Sequence, residues 1–176
     1  GEIDILKQWI QDTKTIYMLK KNVMKKDCLA KYSGYSCGLI VDLLNGENDV
    51  ESICEKARIS RYEVYRIISL LLSDGFIQET TPDNLLATGD DYLNQKEGSK
   101  ALRMFERYME SGGDRSAVLK KIAYAKEIMG EKQLSALDYG EYADYCYQQG
   151  NHDEAFNSFE KAIEFWPENA DLHIPY

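Results

Sequence analysis

Residues 136–169 read ALDYGEYADYCYQQGNHDEAFNSFEKAIEFWPEN, and this stretch decides the fold of the C-terminal half of the chain. The small residues Ala143 and Ala155 are spaced to lie where two antiparallel helices cross, because only short side chains fit between closely packed helices. Gly150 lets the chain turn between the helices. Pro167 ends the second helix, because proline cannot donate the next backbone hydrogen bond. The stretch therefore predicts a helical hairpin.

The same stretch resembles one full tetratricopeptide repeat, a helical hairpin of about 34 residues. In that family, partners usually lie along the concave face formed by the first helix of each hairpin, so the resemblance implies a protein-binding role. The residues that follow the family pattern are Tyr139, Tyr142, Ala143, Cys146, Gly150, Ala155, Phe159, Ala162 and Pro167.

A weaker copy of this pattern lies 54 residues earlier in the chain. Lys96 stands where the later copy has its turn glycine, and Gly112 and Gly113 stand in place of the proline. We expect helices over residues 84–97 and 99–111, which form a degenerate repeat. In order, the earlier copy has Gly89, Tyr92, Ala101 and Phe105 where the later copy has Ala143, Cys146, Ala155 and Phe159.

Residues 115–133 separate the two hairpins, and their apolar residues recur at helical spacing. We expect one amphipathic helix there. A single unpaired helix between two hairpins interrupts a regular superhelix, and it could replace part of a middle repeat.

Two short helices are predicted in the N-terminal half. Residues 36–44 place apolar side chains at helical spacing, and Asn45 and Gly46 stop that helix. Asp49 is suited to cap a second helix over residues 50–57, because its carboxylate can accept a bond from a free backbone N–H.

A third, longer helix is expected after a tight turn at residues 58–60. Ser60 and Glu63 have the spacing of a capping box, in which each side chain caps the backbone N–H of the other residue. The apolar periodicity of this helix continues to Asp74, and Gly75 ends it.

Strand and helix signals flank these three helices. Residues 76–80 alternate apolar and polar side chains, as a strand does. Residues 15–19 combine β-branched and aromatic side chains, which allows a second short strand. Residues 3–11 repeat apolar side chains at helical spacing and predict a short amphipathic helix.

The order helix, helix, tight turn, longer helix and strand over Tyr35–Glu79 resembles a winged helix-turn-helix. The resemblance implies that the start of the third helix could reach DNA. A wing needs a second strand, but residues 80–84 lead straight into another helix, so we expect a short or absent wing and one DNA contact fewer. The side chains placed to contact DNA are Arg58, Arg61, Tyr62 and Arg66.

Charge divides the chain at the same place as these patterns. Residues 1–80 hold 11 basic and 12 acidic residues, whereas residues 81–176 hold 10 and 18. We therefore expect two domains, 1–80 and 81–176, in a mainly α protein: a winged-helix-like domain followed by tetratricopeptide-type antiparallel hairpins. The acidic half should repel nucleic acid, so DNA binding is the less favoured alternative.

Several classes of function lack their sequence signals. The chain has no phosphate-binding glycine loop, no dinucleotide fingerprint and no H-E-x-x-H, so we expect no enzyme and no cofactor. The four cysteines form no C-x-x-C pair and three of them lie far from both histidines, so a metal site is not expected. Sparse cysteines suggest a reduced, cytoplasmic protein, and no apolar run approaches the roughly 18 residues of a membrane span.

The repeat resemblance also names a binding surface. Two aspartates stand where the family's peptide-carboxylate clamp has Lys and Asn, which favours a basic or amphipathic protein segment as the partner. A homodimer stays open as an alternative. The implied surface residues are Leu86, Asp90, Leu93 and Asn94 in the first hairpin and Gly140, Asp144, Tyr147 and Gln148 in the second.

The whole-chain order loosely resembles bacterial regulatory proteins in which an effector-type domain runs into a helix-turn-helix and then tetratricopeptide repeats. It implies a further N-terminal domain and a role in signalling or gene regulation. We therefore expect a cytoplasmic, non-enzymatic adaptor or scaffold that binds a protein. The alternative is a transcription regulator that binds DNA through residues 58–66.

Overall fold

A computed structural model describes Ile10 and residues 12–169 of the chain. The chain divides into two compact units, the first ending at Thr81 and the second beginning at Pro82. The division falls one residue after the boundary expected from charge. The described part is mainly helical, with one small sheet in the first unit. The helix predicted over residues 3–11 falls almost wholly outside the described residues.

Three short strands form the sheet of the first unit. They are β1, Ile16–Leu19, β2, Asn45–Asp49, and β3, Ile77–Glu79. β1 lies in the middle and pairs antiparallel with both neighbours, so the order is β2-β1-β3. Tyr17 lies opposite Glu79. The strands expected near residues 15–19 and 76–80 are confirmed, whereas β2 was not predicted.

The described residues of the first unit also form four α-helices, three of which contact the sheet. They are α1, Lys25–Lys31, α2, Tyr35–Leu43, α3, Val50–Ala57, and α4, Arg61–Ser73. Their apolar faces and β1 bury one core; its fully buried members include Cys28, Ile40, Val50, Ile53, Val64, Ile68 and Leu71.

The helix caps of the first unit are partly as predicted. The Asp49 carboxylate accepts a 2.7 Å bond from the backbone N–H of Ser52 and caps α3. The Ser60 hydroxyl accepts a 3.2 Å bond from the backbone N–H of Glu63 at the start of α4. The capping box is nevertheless only half formed, because the Glu63 carboxylate accepts bonds from Arg66 instead. An arginine at i+3 competes with the cap for the same carboxylate.

No second strand follows β3 in the described part of the chain. The backbone N–H of Thr80 donates to Ile16 of β1, and a helix begins at Pro82. The described residues after Glu79 therefore do not supply the second strand that a wing hairpin needs, in line with the expected short or absent wing.

The described residues of the second unit form a row of five α-helices. They are α5, Pro82–Asn94, α6, Gly98–Glu110, α7, Leu119–Ile128, α8, Lys132–Gln148, and α9, His152–Phe165, with a 3-10 turn at Arg115–Ala117 before α7. Each helix packs against the next, and α7 also touches α5. Both predicted hairpins, α5–α6 and α8–α9, are therefore antiparallel neighbours.

The single helix predicted over roughly residues 115–133 is confirmed, but it is shorter than expected and spans Leu119–Ile128. A 3-10 turn precedes α7, and α7 stops at Ile128. Gly130 adopts a positive φ of 79° and turns the chain into α8. α7 packs on both α6 and α8, so it takes part in the row rather than standing outside it.

The turns of the two hairpins have the same backbone geometry. Lys96 has a φ of 61° and Gly150 a φ of 77°, both left-handed. Each residue donates its N–H to the carbonyl three residues back, at 3.0 Å. The residue after each, Glu97 or Asn151, donates to the carbonyl five residues back, at 2.9 Å. This pair of bonds is the Schellman helix ending, which usually requires glycine.

Different small residues pack at the crossings of the two hairpins. Gly89 of α5 lies beneath the fully buried ring of Phe105 on α6, and a Cβ at Gly89 would come within 2.4 Å of that ring. The equivalent residue of the second hairpin, Ala143, carries a Cβ and is fully buried. The small residues that the sequence places at the crossings thus lie there.

No helix among residues 12–169 combines the length and the apolar character that a bilayer crossing requires.

Candidate protein-interaction face

Exposed large hydrophobic side chains are concentrated in one segment of the second unit. Leu134 and Leu137 of α8 are 49% and 46% exposed. Outside residues 129–156, the only exposed large hydrophobic side chains among the described residues are those of Met24 and Tyr35. The other members within that segment are Met129, Tyr145, Tyr147 and Phe156. A cluster of this kind on a water-exposed surface marks an interaction site more often than scattered single residues do.

Helix α8 has two opposite sides. Its buried residues, among them Ser135, Tyr139 and Ala143, lie on the side that meets α7 and α9. At 3.6 residues per turn, six other residues fall within a stripe about 100° wide on the opposite side. We call this stripe the α8 face; it consists of Leu134, Leu137, Glu141, Asp144, Tyr145 and Gln148.

Polar contacts to α7 fix the rotation of α8. The buried Ser135 hydroxyl donates a 2.8 Å bond to the backbone carbonyl of Ala123. The Tyr139 hydroxyl donates a 2.8 Å bond to the Glu127 carboxylate, and this acceptor together with burial raises the pKa of Tyr139. Because a buried polar group without its partner is costly, these bonds resist rotation of α8 about its axis. The α8 face is therefore held outward.

A lysine on α9 joins three helices behind this face. The Lys161 ammonium lies 2.6 Å from the Glu127 carboxylate and 4.7 Å from the centre of the Tyr139 ring. The rings of Tyr124 and Phe165 are also within 6 Å of it. Cation–π contacts of this kind add to the ion pair. They tie α7, α8 and α9 together without using the α8 face.

The two carboxylates of the α8 face differ in their surroundings. Glu141 accepts two bonds from the guanidinium of Arg115, at 2.8 and 2.7 Å, and this pairing lowers the pKa of Glu141. Asp144 is exposed and has no ion pair or hydrogen bond within the described residues. Asp144 is therefore the carboxylate of the α8 face that is available to an external cation.

The binding residues predicted in the second hairpin are only partly brought together. Asp144 and Gln148 belong to the α8 face. Tyr147 is exposed on another side of α8, where its ring contacts the His152 ring at 5.0 Å. Gly140 is buried and offers no surface.

The residues predicted in the first hairpin offer less surface than expected. Leu93 is only 8% exposed and packs inward. Both oxygens of Asp90 accept bonds of 2.6 Å from the Lys121 ammonium on α7, so this carboxylate already has its cation. Leu86 is half-buried and Asn94 is exposed.

Four residues of the α8 face were not predicted from the sequence. Leu134 precedes the repeat pattern, which begins at Ala136, and Leu137, Glu141 and Tyr145 are not among the positions that this pattern marks as binding residues. The signal was nevertheless present: residues 134, 137, 141, 144 and 148 follow the alternating three-and-four spacing of one helix face.

The arginines proposed to contact DNA are largely satisfied within the first unit. Arg61 makes a forked pair with Glu51, and these bonds raise the pKa of Arg61. Arg66 donates two bonds, of 2.9 and 2.8 Å, to Glu63. Arg58 adopts a left-handed φ of 54° at the end of α3 and is exposed, and Tyr62 is half-buried. Two of the three guanidiniums therefore have a carboxylate that a phosphate would have to displace.

A cavity of about 320 Å³ lies beside the start of α2 in the first unit. Its cations, Lys31 and Arg66, are paired with Asp74 and Glu63. The four cysteines are free and buried, and no group of three potential metal ligands occurs among the described residues.

No protein-family model, curated protein or solved structure matches this chain.

Proposed function

We propose that the protein is a non-enzymatic adaptor or scaffold that binds another protein through the α8 face. The observation that carries the proposal is the exposure of Leu134 and Leu137 on a helix whose rotation is fixed by buried polar bonds. About half of each leucine side chain is exposed to water, and its burial by a partner would gain about 25 cal/mol per Å² of apolar surface. The α8 face therefore offers a preformed apolar anchor with a polar border, as interfaces do.

The tetratricopeptide resemblance supports the same proposal. α8 and α9 coincide with the two helices of the matched repeat, and the α8 face includes Asp144 and Gln148, which the resemblance places on the binding side. The matched turn and the buried small residues are what such a repeat requires. The regulatory role and the bacterial origin rest on the looser whole-chain resemblance, and the cytoplasmic location rests on the sparse cysteines; all three remain parts of the proposal.

A selection from a library of random displayed peptides tests the proposal. The immobilised full chain is the target, and the Leu134→Ser/Leu137→Ser double variant is the comparison target. We expect peptides that bind the chain and lose binding to the double variant. Met24→Ser is the matched control, since it removes an exposed apolar side chain from the first unit. A selection that yields no peptides, or only peptides indifferent to the double variant, would refute the proposal.

The transcription-regulator alternative has weaker support. The ion pairs of Arg61 and Arg66 compete with phosphate contacts, and the first unit has almost equal numbers of acidic and basic residues. We expect a fluorescence-anisotropy titration with random duplex DNA to show no binding at physiological salt. Tight, salt-sensitive binding that is lost in the Arg61→Ala/Arg66→Ala variant would instead favour the regulator.

A further inference from the structure

The α8 face has the spacing of a coiled-coil seam. Residues 134, 137, 141, 144 and 148 alternate steps of three and four, as the a and d positions of heptads do. α8 is 17 residues long, or about 25 Å at 1.5 Å per residue. A second helix of two to three heptads would therefore match it along its whole length.

Charge along this seam changes from one end to the other. The N-terminal end presents Leu134 and Leu137, and the C-terminal end presents Asp144 and Tyr145. The cation of Arg115 is already used by Glu141, so Asp144 has no cation of its own. A Lys or Arg side chain placed over Asp144 would gain an ion pair, and its aliphatic stem or cation would lie on the Tyr145 ring.

A second copy of this chain is a poor occupant of the seam. Pairing α8 with another α8 in parallel sets Asp144 against Asp144, and antiparallel pairing along most of the helix sets Asp144 against Leu134. Like charges opposed, or a charge buried against leucine, weaken an interface. Residues 81–176 carry eight more acidic than basic residues, so two copies would also repel each other at longer range.

We propose that the occupant of the α8 face is a basic amphipathic helix of a different protein. Two of its apolar side chains cover Leu134 and Leu137, and a Lys or Arg one or two turns away contacts Asp144 and Tyr145. This inference rests on the proposed function and specifies the partner of that same face.

Four fluorescein-labelled helical peptides, each three heptads long, test it against the full chain by anisotropy. The first carries Leu at two successive a and d positions and Arg at the next two. The second has the reverse order, to allow either docking direction. The third has Glu in place of Arg, and the fourth has the composition of the first with the heptad spacing scrambled.

We expect one of the two Leu–Arg peptides to bind at least about tenfold more tightly than the Glu and scrambled peptides. Asp144→Lys should weaken that binding about tenfold and strengthen binding of the Glu peptide. Asp153→Lys is the matched control, because it changes net charge equally at an exposed carboxylate of α9 outside the face. It should leave the affinity within about twofold.

Equal binding of the scrambled peptide, or an equal effect of Asp144→Lys and Asp153→Lys, would overturn the inference, because general charge attraction would then suffice. Failure of all four peptides would also overturn it. The library selection tests the proposed function separately. Selected peptides that need Leu134 and Leu137 but are extended or acidic would support the proposed function and would rule out a basic helix as the partner.

Discussion

Hairpins α5–α6 and α8–α9 turn through the same backbone conformation, yet they present different surfaces. The α8 residues Leu137, Glu141, Asp144 and Gln148 correspond, 54 residues earlier, to Asp83, Ala87, Asp90 and Asn94. No large hydrophobic side chain of α5 or α6 is exposed. The two hairpins thus have the same turn and small buried residues at equivalent positions, but they differ in the side chains that a partner could contact.

The interior of the two hairpins differs as well. In the first, a Phe105 ring rests directly on the backbone of Gly89, whereas in the second Ala143 occupies the equivalent position. Both hairpins are also tied to α7, the first by the ion pair of Asp90 with Lys121 and the second by the Lys161 cluster. The two hairpins thus differ in what packs at the crossing and in which lysine joins them to α7.

Gly89→Ala should have the largest effect on stability. The added methyl group would overlap the Phe105 ring, which is fully buried and has no room to move. Overpacking of this kind costs about 1–3 kcal/mol, against a gain of roughly 1 kcal/mol from replacing a helical glycine. We expect a net loss of up to about 2 kcal/mol in urea unfolding followed by circular dichroism.

Gly38→Ala in α2 is the matched control for that substitution. Its new methyl group would make ordinary contacts, at 3.7 Å from Leu29 and 3.8 Å from Lys25. A gain of about 0.5–1 kcal/mol is expected. Equal gains for both variants would show that the first crossing has room for a methyl group and would remove this difference between the hairpins.

Lys161→Ala should destabilise the second unit by about 1–2 kcal/mol, because it removes one ion pair and several cation–π contacts. It also leaves the half-buried Glu127 carboxylate with the Tyr139 hydroxyl alone. Thermal unfolding measures the effect. Lys132→Ala, at an exposed position of α8, should change stability by less than about 0.5 kcal/mol. If the two variants behaved alike, the cluster would be a surface arrangement without consequence for the fold.

The shared turn can be tested at both of its copies. Gly150→Ala should cost about 1 kcal/mol, since its Cβ would meet no neighbour and only the left-handed backbone opposes it. At the other turn, Lys96→Gly should be more stable than Lys96→Ala by about the same amount. Both variants lack the contact between the Lys96 ammonium and Tyr124. The difference in stability between them therefore measures the cost of the left-handed backbone alone. No difference between them would mean that the two turns are not equivalent.

The smallest effect is expected from Leu134→Ser with Leu137→Ser. These side chains face away from α7 and α9, so the melting temperature should shift by no more than the equivalent of about 0.5 kcal/mol. A loss well above 1 kcal/mol would place both leucines in the fold and would weaken the argument for a binding face.

Local signals in the sequence predicted most of the helical fold. Turn residues, small residues at the crossings and apolar spacing located α5, α6, α8 and α9 to within a few residues. The break at Gly130 was overlooked because the apolar spacing of α7 runs on into the start of α8. The positive φ that glycine permits ended the helix there.

β2 shows why other parts could not be predicted. Its sequence, Asn45–Asp49, lacks the β-branched and aromatic residues typical of strands. It pairs because β1 lies alongside it and because the buried Asn48 amide donates to the Leu43 carbonyl at 2.9 Å. These causes are non-local or depend on a specific side chain, so propensity does not reveal them.

The candidate site was harder to predict than the fold. Asp90 and Asp144 occupy equivalent positions, but Lys121 pairs with the first and leaves the second open. This distinction depends on how α7 packs, which the sequence did not specify. A charged residue at a repeat position therefore predicts a residue available to a partner only when the packing of the neighbouring helix is known.

The central position of β1 has a consequence for how the first unit folds. β1 is synthesised first, but its partner β2 follows about 30 residues later and β3 about 60 residues later. Contacts between distant parts of a chain close slowly, because the intervening loop loses entropy before they form. On the ribosome, β1 would therefore wait unpaired until β2 had emerged, and its other edge would stay open until β3 emerged. A fragment starting after Leu19 would leave β2 and β3 without the strand that joins them, and their open edges would favour aggregation.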